Sequence, residues 1–249
     1  MRIEKKFFVP FILAVALLAA SAHAEDAAGK KMETSLNAGL TLTDGNSETM
    51  QGNASLVVEG EKDLLGSMRA GAEFNYGDTK NKDGEKENTI SNVKIYGNAK
   101  KTLSVRSFAY LDANLFHDDI AAISYRITAG PGAGYYLIKN ETLSLCVEAG
   151  PSYLVEKVDG SERDYLVLRL ADRVEWKLSE TAKIWQAAEF LPRVDDTDNY
   201  LLNGELGAEA VMTTRISLRL VLQDRYNSRP AEGKKHNDLT LIAGVGIKL

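Results

Sequence analysis

Side chains able to carry out chemistry are sparse in this chain of 249 residues. The histidines are His23, His117 and His236, and Cys146 is the single cysteine. His117-Asp118-Asp119 offers an imidazole and two carboxylates to a divalent cation. It lies where an extended segment meets a polar stretch, so it reads as a solvated cluster. Asp195-Asp196-Thr197-Asp198 has the acidity of a calcium loop but lacks the Gly at position six and the Glu at position twelve that such a loop uses. No His-x-Ser pair occurs that could serve a barrel lipase. One cysteine forms no intrachain disulfide, and no His or Asp pattern surrounds it to make a nucleophile. The expectation is therefore no catalytic residue, no cofactor, no metal ligand and no enzyme.

What remains is a set of charges at alternate positions. Arg69, Glu73, Glu148, Arg169, Arg173, Glu205, Glu209, Arg215, Arg219 and Arg225 fall on the face opposite the apolar one, as do Lys94, Arg106, Asp112, Arg126 and Glu175. Charges spaced by two along an extended chain share one face. That face can line a selectivity surface, or its charges can pair as salt bridges that fill and stiffen an interior. Asp172 breaks the pattern, because its parity puts it on the apolar face.

The elements that hold these charges are strands. Leu36, Ala38, Leu40 and Leu42 alternate with Asn37, Gly39 and Thr41; Leu166, Leu168 and Leu170 alternate with Val167, Arg169 and Ala171; Leu218, Leu220 and Leu222 alternate with Arg219, Val221 and Gln223. Period two with one apolar face is a strand signature. It predicts strands near 33–43, 48–61, 66–77, 88–100, 104–116, 123–138, 143–156, 164–178, 182–192, 199–212, 215–227 and 238–249. Two segments are less clean: parity is ambiguous near Trp185–Leu191, where Gln186 falls on the more apolar side, and Val105–Phe116 carries aromatics on both faces.

The first residues read as a sorting signal. Arg2, Lys5 and Lys6 precede the apolar stretch Phe7–Ala20, and Ala22-His23-Ala24 is a small-x-small cleavage site. That stretch is shorter than the ~20 residues a spanning helix needs. The expected division is a signal peptide at 1–24 and one barrel at 25–249. Losing Arg2, Lys5, Lys6 and Glu4 leaves 27 Lys and Arg against 34 Asp and Glu. A mildly acidic secreted chain with no basic patch is not a nucleic-acid binder.

Two features favour a membrane barrel over a soluble sandwich. Connections after odd-numbered strands are polar and, in all but the first, expected to be long, as at 78–87, 157–163, 193–198 and 228–237, while those after even-numbered strands are short. Tyr76, Phe116, Tyr125, Tyr153, Tyr165, Phe190, Tyr200 and Tyr226 fall near the long-loop ends, with Tyr135 and Trp176 near the short-turn ends. Such rings form girdles at membrane interfaces. The predicted fold is all-β: an antiparallel up-and-down transmembrane β-barrel of about twelve strands. Both termini are expected on the periplasmic side, with the charged face toward the lumen.

Three segments carry a family resemblance: Gly39-Leu-Thr-Leu-Thr-Asp-Gly-Asn-Ser47, Tyr226-Asn-Ser-Arg-Pro230, and the end of the chain from Asp238 to Gly244-Val-Gly-Ile-Lys-Leu249. In these the chain resembles the salt-induced outer membrane protein family, domain of unknown function 481. The resemblance implies a barrel in the bacterial outer membrane and assigns no functional residue. The expected partners are outer-membrane lipid, lipopolysaccharide and the barrel assembly machinery. The expected role is structural or envelope-stress related, with limited passage of small solutes. The alternative is a dedicated pore or uptake channel for a small charged solute.

The cleavage site makes a direct prediction. N-terminal sequencing of protein extracted from outer membranes should begin at Glu25; a mature protein starting at Met1 would contradict export by a cleaved signal.

Overall fold

The computed structural model describes residues 33–43, 48–62, 66–80 and 86–249. The leader at 1–24, the turn Asp44–Ser47 and the polar stretch at 81–85 lie outside them. Twelve strands follow one another: β1 (Glu33–Thr43), β2 (Glu48–Lys62), β3 (Gly66–Lys80), β4 (Lys86–Thr102), β5 (Ser107–Asp118), β6 (Ile123–Lys139), β7 (Leu143–Val158), β8 (Ser161–Lys177), β9 (Ala182–Pro192), β10 (Tyr200–Val211), β11 (Ile216–Asn227) and β12 (Asn237–Lys248). Each pairs antiparallel with its neighbours in sequence, and β1 pairs with β12 through Ala38↔Val245, so the sheet is a closed barrel. The seam is short, Ser35–Ala38 against Val245–Lys248, but it leaves neither end strand as a free edge.

The strands are strongly tilted. Stepping between hydrogen-bonded partners leads from Asn37 through Ser55, Glu73, Lys94, Phe116, Arg126 and Glu156 to Arg163. Asn37 is near the end of the barrel that carries the termini, and Arg163 is at the opposite rim. Rows of partners therefore climb as strand number rises, which is the stagger a closed barrel requires.

Alternation sorts the side chains as expected. Leu206, Leu218 and Leu220 point outward and stay about half exposed, at 55, 48 and 49 %. The outer wall is an apolar belt. Toward the loop end, rings stack along it from Phe190 to Tyr200, Tyr226 and His236, with centroids 5.3, 5.7 and 5.8 Å apart. Tyr135 and Trp176 are exposed near the turn end. Two rings read as girdle members turn inward instead. Phe116 follows the parity of Asp112, and Tyr165 is buried with Leu154, Val167, Leu191 and Leu201 in an apolar cluster inside the barrel.

The loops also differ from expectation. Where a loop was expected at 157–163, the ladder continues through Lys157↔Glu162 and Val158↔Ser161 to a two-residue turn, Asp159-Gly160. Both turn residues have positive φ, 48° and 75°, which suits Asp-Gly in a tight hairpin. Likewise β3 and β4 stay paired as far as Lys80↔Lys86. Polarity marks where an apolar belt ends, not where pairing ends. Only the connections 193–199 and 228–236 are long among those described at this end.

Inward glycines make room for aromatic rings. Tyr96, Phe108, Tyr110 and Trp185 sit directly across from Gly71, Gly134, Gly132 and Gly207. A Cβ at Gly132 would lie 2.2 Å from Tyr110 Cζ, and one at Gly207 would lie 2.0 Å from Trp185 Cζ2. Each ring therefore lies flat on the neighbouring strand. Pro131 and Pro151, which lack the N–H for a ladder bond, fall in a gap between Ala129↔Tyr153 and Ala133↔Ala149.

Two substitutions one residue apart test this sorting. Leu220→Arg puts a cation in the outer belt, at a cost of roughly 2–4 kcal/mol near a bilayer midplane, and should sharply lower the yield of the heat-modifiable folded form. Arg219→Leu changes only the interior, where it removes the ion pair to Glu209, and should lower that yield less.

Candidate functional site

The interior is bounded by the inward side chains, and two adjoining polar networks run through it. The first centres on Arg169 of β8. Its Nε donates to Glu189 at 2.6 Å and its Nη1 to Glu148 at 2.9 Å, with Asp112 Oδ1 3.9 Å away. Glu148 also takes an ion pair from Lys100 at 2.6 Å. Asn98 and Asn114 donate to Asp112, and Asn203 donates to Glu189. Three carboxylates thus share two cations and three amides. The Arg169 side chain is 9 % exposed and that of Glu148 8 %. Charges this buried persist because each keeps a partner. The cations also rest on rings, Arg169 on Tyr110 at 5.0 Å and Lys100 on Phe108 at 4.6 Å. The glycines across from those rings thereby fix the height of the charges.

The second network adjoins the first on β9 and β10 and reaches round to β3. Trp185 Nε1 donates to Glu205 at 2.6 Å, and Gln223 Nε2 donates to Glu205 at 3.2 Å and to Glu73 at 3.4 Å. Gln223 is on β11 and Glu73 on β3, with β12, β1 and β2 between them. This bond is a chord through the bore. Arg225 of β11 reaches farther and stacks on Phe116 of β5 at 4.6 Å. Those strands are diametrically opposed in the ring.

Smaller ion pairs mark the two ends. Near the turns, Arg219 meets Glu209 at 3.2 Å, Arg173 meets Glu175 at 3.7 Å and Arg69 meets Glu59 at 3.9 Å. Toward the loops, Arg126 binds Glu156 at 2.7 Å, and Tyr165 donates to the same carboxylate at 2.9 Å. One continuous cavity of about 740 Å³ threads these networks. Its lining runs from Glu59, Ser67 and Glu175 near the turns to Ala121, Lys235 and His236 near the loops.

Of the charges singled out in the sequence, Arg69, Glu73, Glu148, Arg169, Arg173, Glu205, Glu209, Arg219 and Arg225 all take part in these interior contacts. Arg215 does not: β11 begins after it, and it is exposed in the turn before that strand. Arg106 is exposed in the turn before β5 for the same reason. Glu189, Gln223 and Trp185 are members that sequence reasoning missed as site residues. Glu189 and Trp185 sit on the strand of ambiguous parity, where Gln186 is the residue that faces out.

The loop clusters are engaged elsewhere. His117 Nε2 pairs with Asp119 at 3.2 Å, while Asp118 turns inward and accepts from the Ala121 amide. Asp195 and Asp196 pair with Arg193 and Arg229, each at 2.7 Å. The Arg193 hydrogen bond holds the Asp195 carboxyl below the usual carboxylate range. Cys146 is buried beside Phe108 and Tyr110. Among the described residues, no group of three or more His, Cys, Asp or Glu is placed to hold a metal ion.

Residues 36–249 match the family described as "Protein of unknown function, DUF481", and the chain belongs to that family. No curated protein matches the chain. Among solved structures, the NanC porin is similar at 12 % identity and a TM-score of 0.55, over 87 % of this chain and 100 % of that one. An outer membrane channel from Pseudomonas putida F1 is similar at 8 % identity and a TM-score of 0.52, over 91 % of this chain and 100 % of the other. These likenesses show a shared porin-like barrel fold.

Arg169→Ala should remove the guanidinium shared by three carboxylates and leave them Lys100 as their only cation. Urea titration in lipid vesicles should show a loss of roughly 3–5 kcal/mol, the range for breaking a buried pair from one side. Arg169→Lys should recover only part of it, because one ammonium does not reproduce a planar fork.

Proposed function

From membership of the DUF481 family and a bore that reaches both rims, we propose that this chain is an outer-membrane barrel passing small polar solutes through a narrow, charge-lined channel. The observation that carries the reading is the continuous cavity. Its lining residues include groups near the turns and groups near the loops. The leader-like first residues, the apolar outer belt and the aromatic girdles support placement in the bacterial outer membrane.

The networks set the character of the passage. Eight-stranded barrels are filled by side chains, whereas barrels of 16–18 strands hold wide aqueous channels. Twelve strands lie between, and here Gln223–Glu73 and Arg225–Phe116 cross the bore. Charges of both signs line it, so a permeating solute exchanges hydration for contacts with guanidinium, carboxylate and amide groups in turn. That suits small, hydrated or zwitterionic solutes better than bulky or apolar ones.

A second reading has its own observation. The same chords and the buried Arg169 cluster would brace a closed structural barrel serving envelope maintenance. Planar-bilayer recording of refolded protein separates the two. The channel reading expects small, steady conductance steps, larger in Gln223→Ala and in Arg225→Ala, because each change removes a bridge across the bore. Silent membranes with wild type and both variants, despite heat-modifiable folded protein, would leave the structural role.

A further inference from the structure

The outer wall holds a polar flaw in its apolar belt. Asp172 of β8 faces outward, between Val147 of β7 and Ala188 of β9. It lies four residues from Trp176 on the same strand, roughly 13 Å at ~3.3 Å per residue. Trp176 marks the turn-end girdle, so the carboxyl group is well inside the belt. Around it the wall is hollowed. A depression of about 680 Å³ is lined by Ala133, Ala149, Ala188 and Asp172, together with Tyr135 and Phe190. Gln186 of β9 also faces outward, paired with Val174 and Leu206. Among the described residues, neither Asp172 nor Gln186 has a hydrogen bond or ion pair within the chain.

Acyl chains cannot satisfy these groups. A carboxyl oxygen needs a donor, and a primary amide offers two donors and an acceptor. Left in hydrocarbon without partners, both are costly. Polar side chains on a lipid-facing wall act as glue between membrane segments, and small residues beside them allow close approach.

We propose that this hollow is a homodimer interface, in which Asp172 of each barrel accepts a hydrogen bond from the partner's Gln186. The argument is self-complementarity. Two copies inserted in the same direction are related by a twofold axis along the membrane normal. Such an axis sets residues at one height on one side of it against residues at the same height on the other side. Asp172 pairs directly with Ala188, and Gln186 lies two residues nearer the turn end. Because rows of partners climb from β8 to β9, that offset brings Gln186 level with Asp172. An axis between β8 and β9 then places each carboxyl group opposite the other barrel's amide, twice per dimer. Among the described residues, no cation stands on the outer belt near this height to serve instead. This inference does not depend on whether the bore conducts.

The test is the association constant of full-length barrels in lipid bilayers, from the dimer fraction measured by single-molecule photobleaching over a range of protein-to-lipid ratios. Asp172→Val and Gln186→Leu should each weaken association at least tenfold. Both replace a polar group by an apolar one on the lipid face, so folding, checked by heat modifiability, should hold or improve. The exchange Asp172→Gln with Gln186→Asp keeps the pair with its roles swapped, and should restore dimers to within about threefold of wild type. A wild-type barrel that stays monomeric at all ratios would overturn the proposal. So would dimers that persist unchanged in both single variants, or a double exchange that behaves like the single ones.

Discussion

Pairing of β1 with β12 is the constraint on which everything else rests. A membrane supplies no water to backbone groups, so a sheet that spans it has to close on itself. Once Ala38 meets Val245 the ring is complete, and each strand has one wet face and one apolar face. Closure also fixes the stagger, visible in the climb from Asn37 to Arg163. That stagger decides which charges share a height. Arg169 of β8 reaches Glu189, Glu148 and Asp112 because tilt brings four strands' inward positions to one level.

Much of this architecture is legible in the residues themselves. Twelve apolar-polar alternations are enough to count the strands and to separate the inward Arg219 from the outward Leu220. The errors have physical causes. Asp159-Gly160 was hidden in a polar stretch because strands beyond a bilayer are wet on both faces and lose their alternation. Phe116 and Tyr165 are apolar rings with inward parity, and an interior lined with other rings accepts them. Parity failed around Trp185 because two exceptions coincide there: an aromatic ring faces in and an amide faces out.

The membership of the site was readable, but its pairing was not. Alternation says that Glu73 and Gln223 share an interior. It says nothing about whether they meet, since they are 150 positions apart in the chain. Their contact follows from barrel diameter and stagger, which are properties of the closed ring. The inward glycines carry a similar lesson. Gly132 and Gly134 look like gaps in a pattern, yet they are the seats for Tyr110 and Phe108, and those rings in turn support Arg169 and Lys100.

The chords across the bore have a consequence for timing. The wall is a complete hydrogen-bonded hoop, so its radius is stiff. What narrows the interior is a handful of long side chains, among them Arg225 and Gln223, whose torsions hop between rotamers in picoseconds to nanoseconds when unhindered. The width thus changes only when these side chains release their partners, while the backbone stands still. A barrel of this kind needs no hinge and no lid to change its effective width; it needs only that a guanidinium let go of a ring.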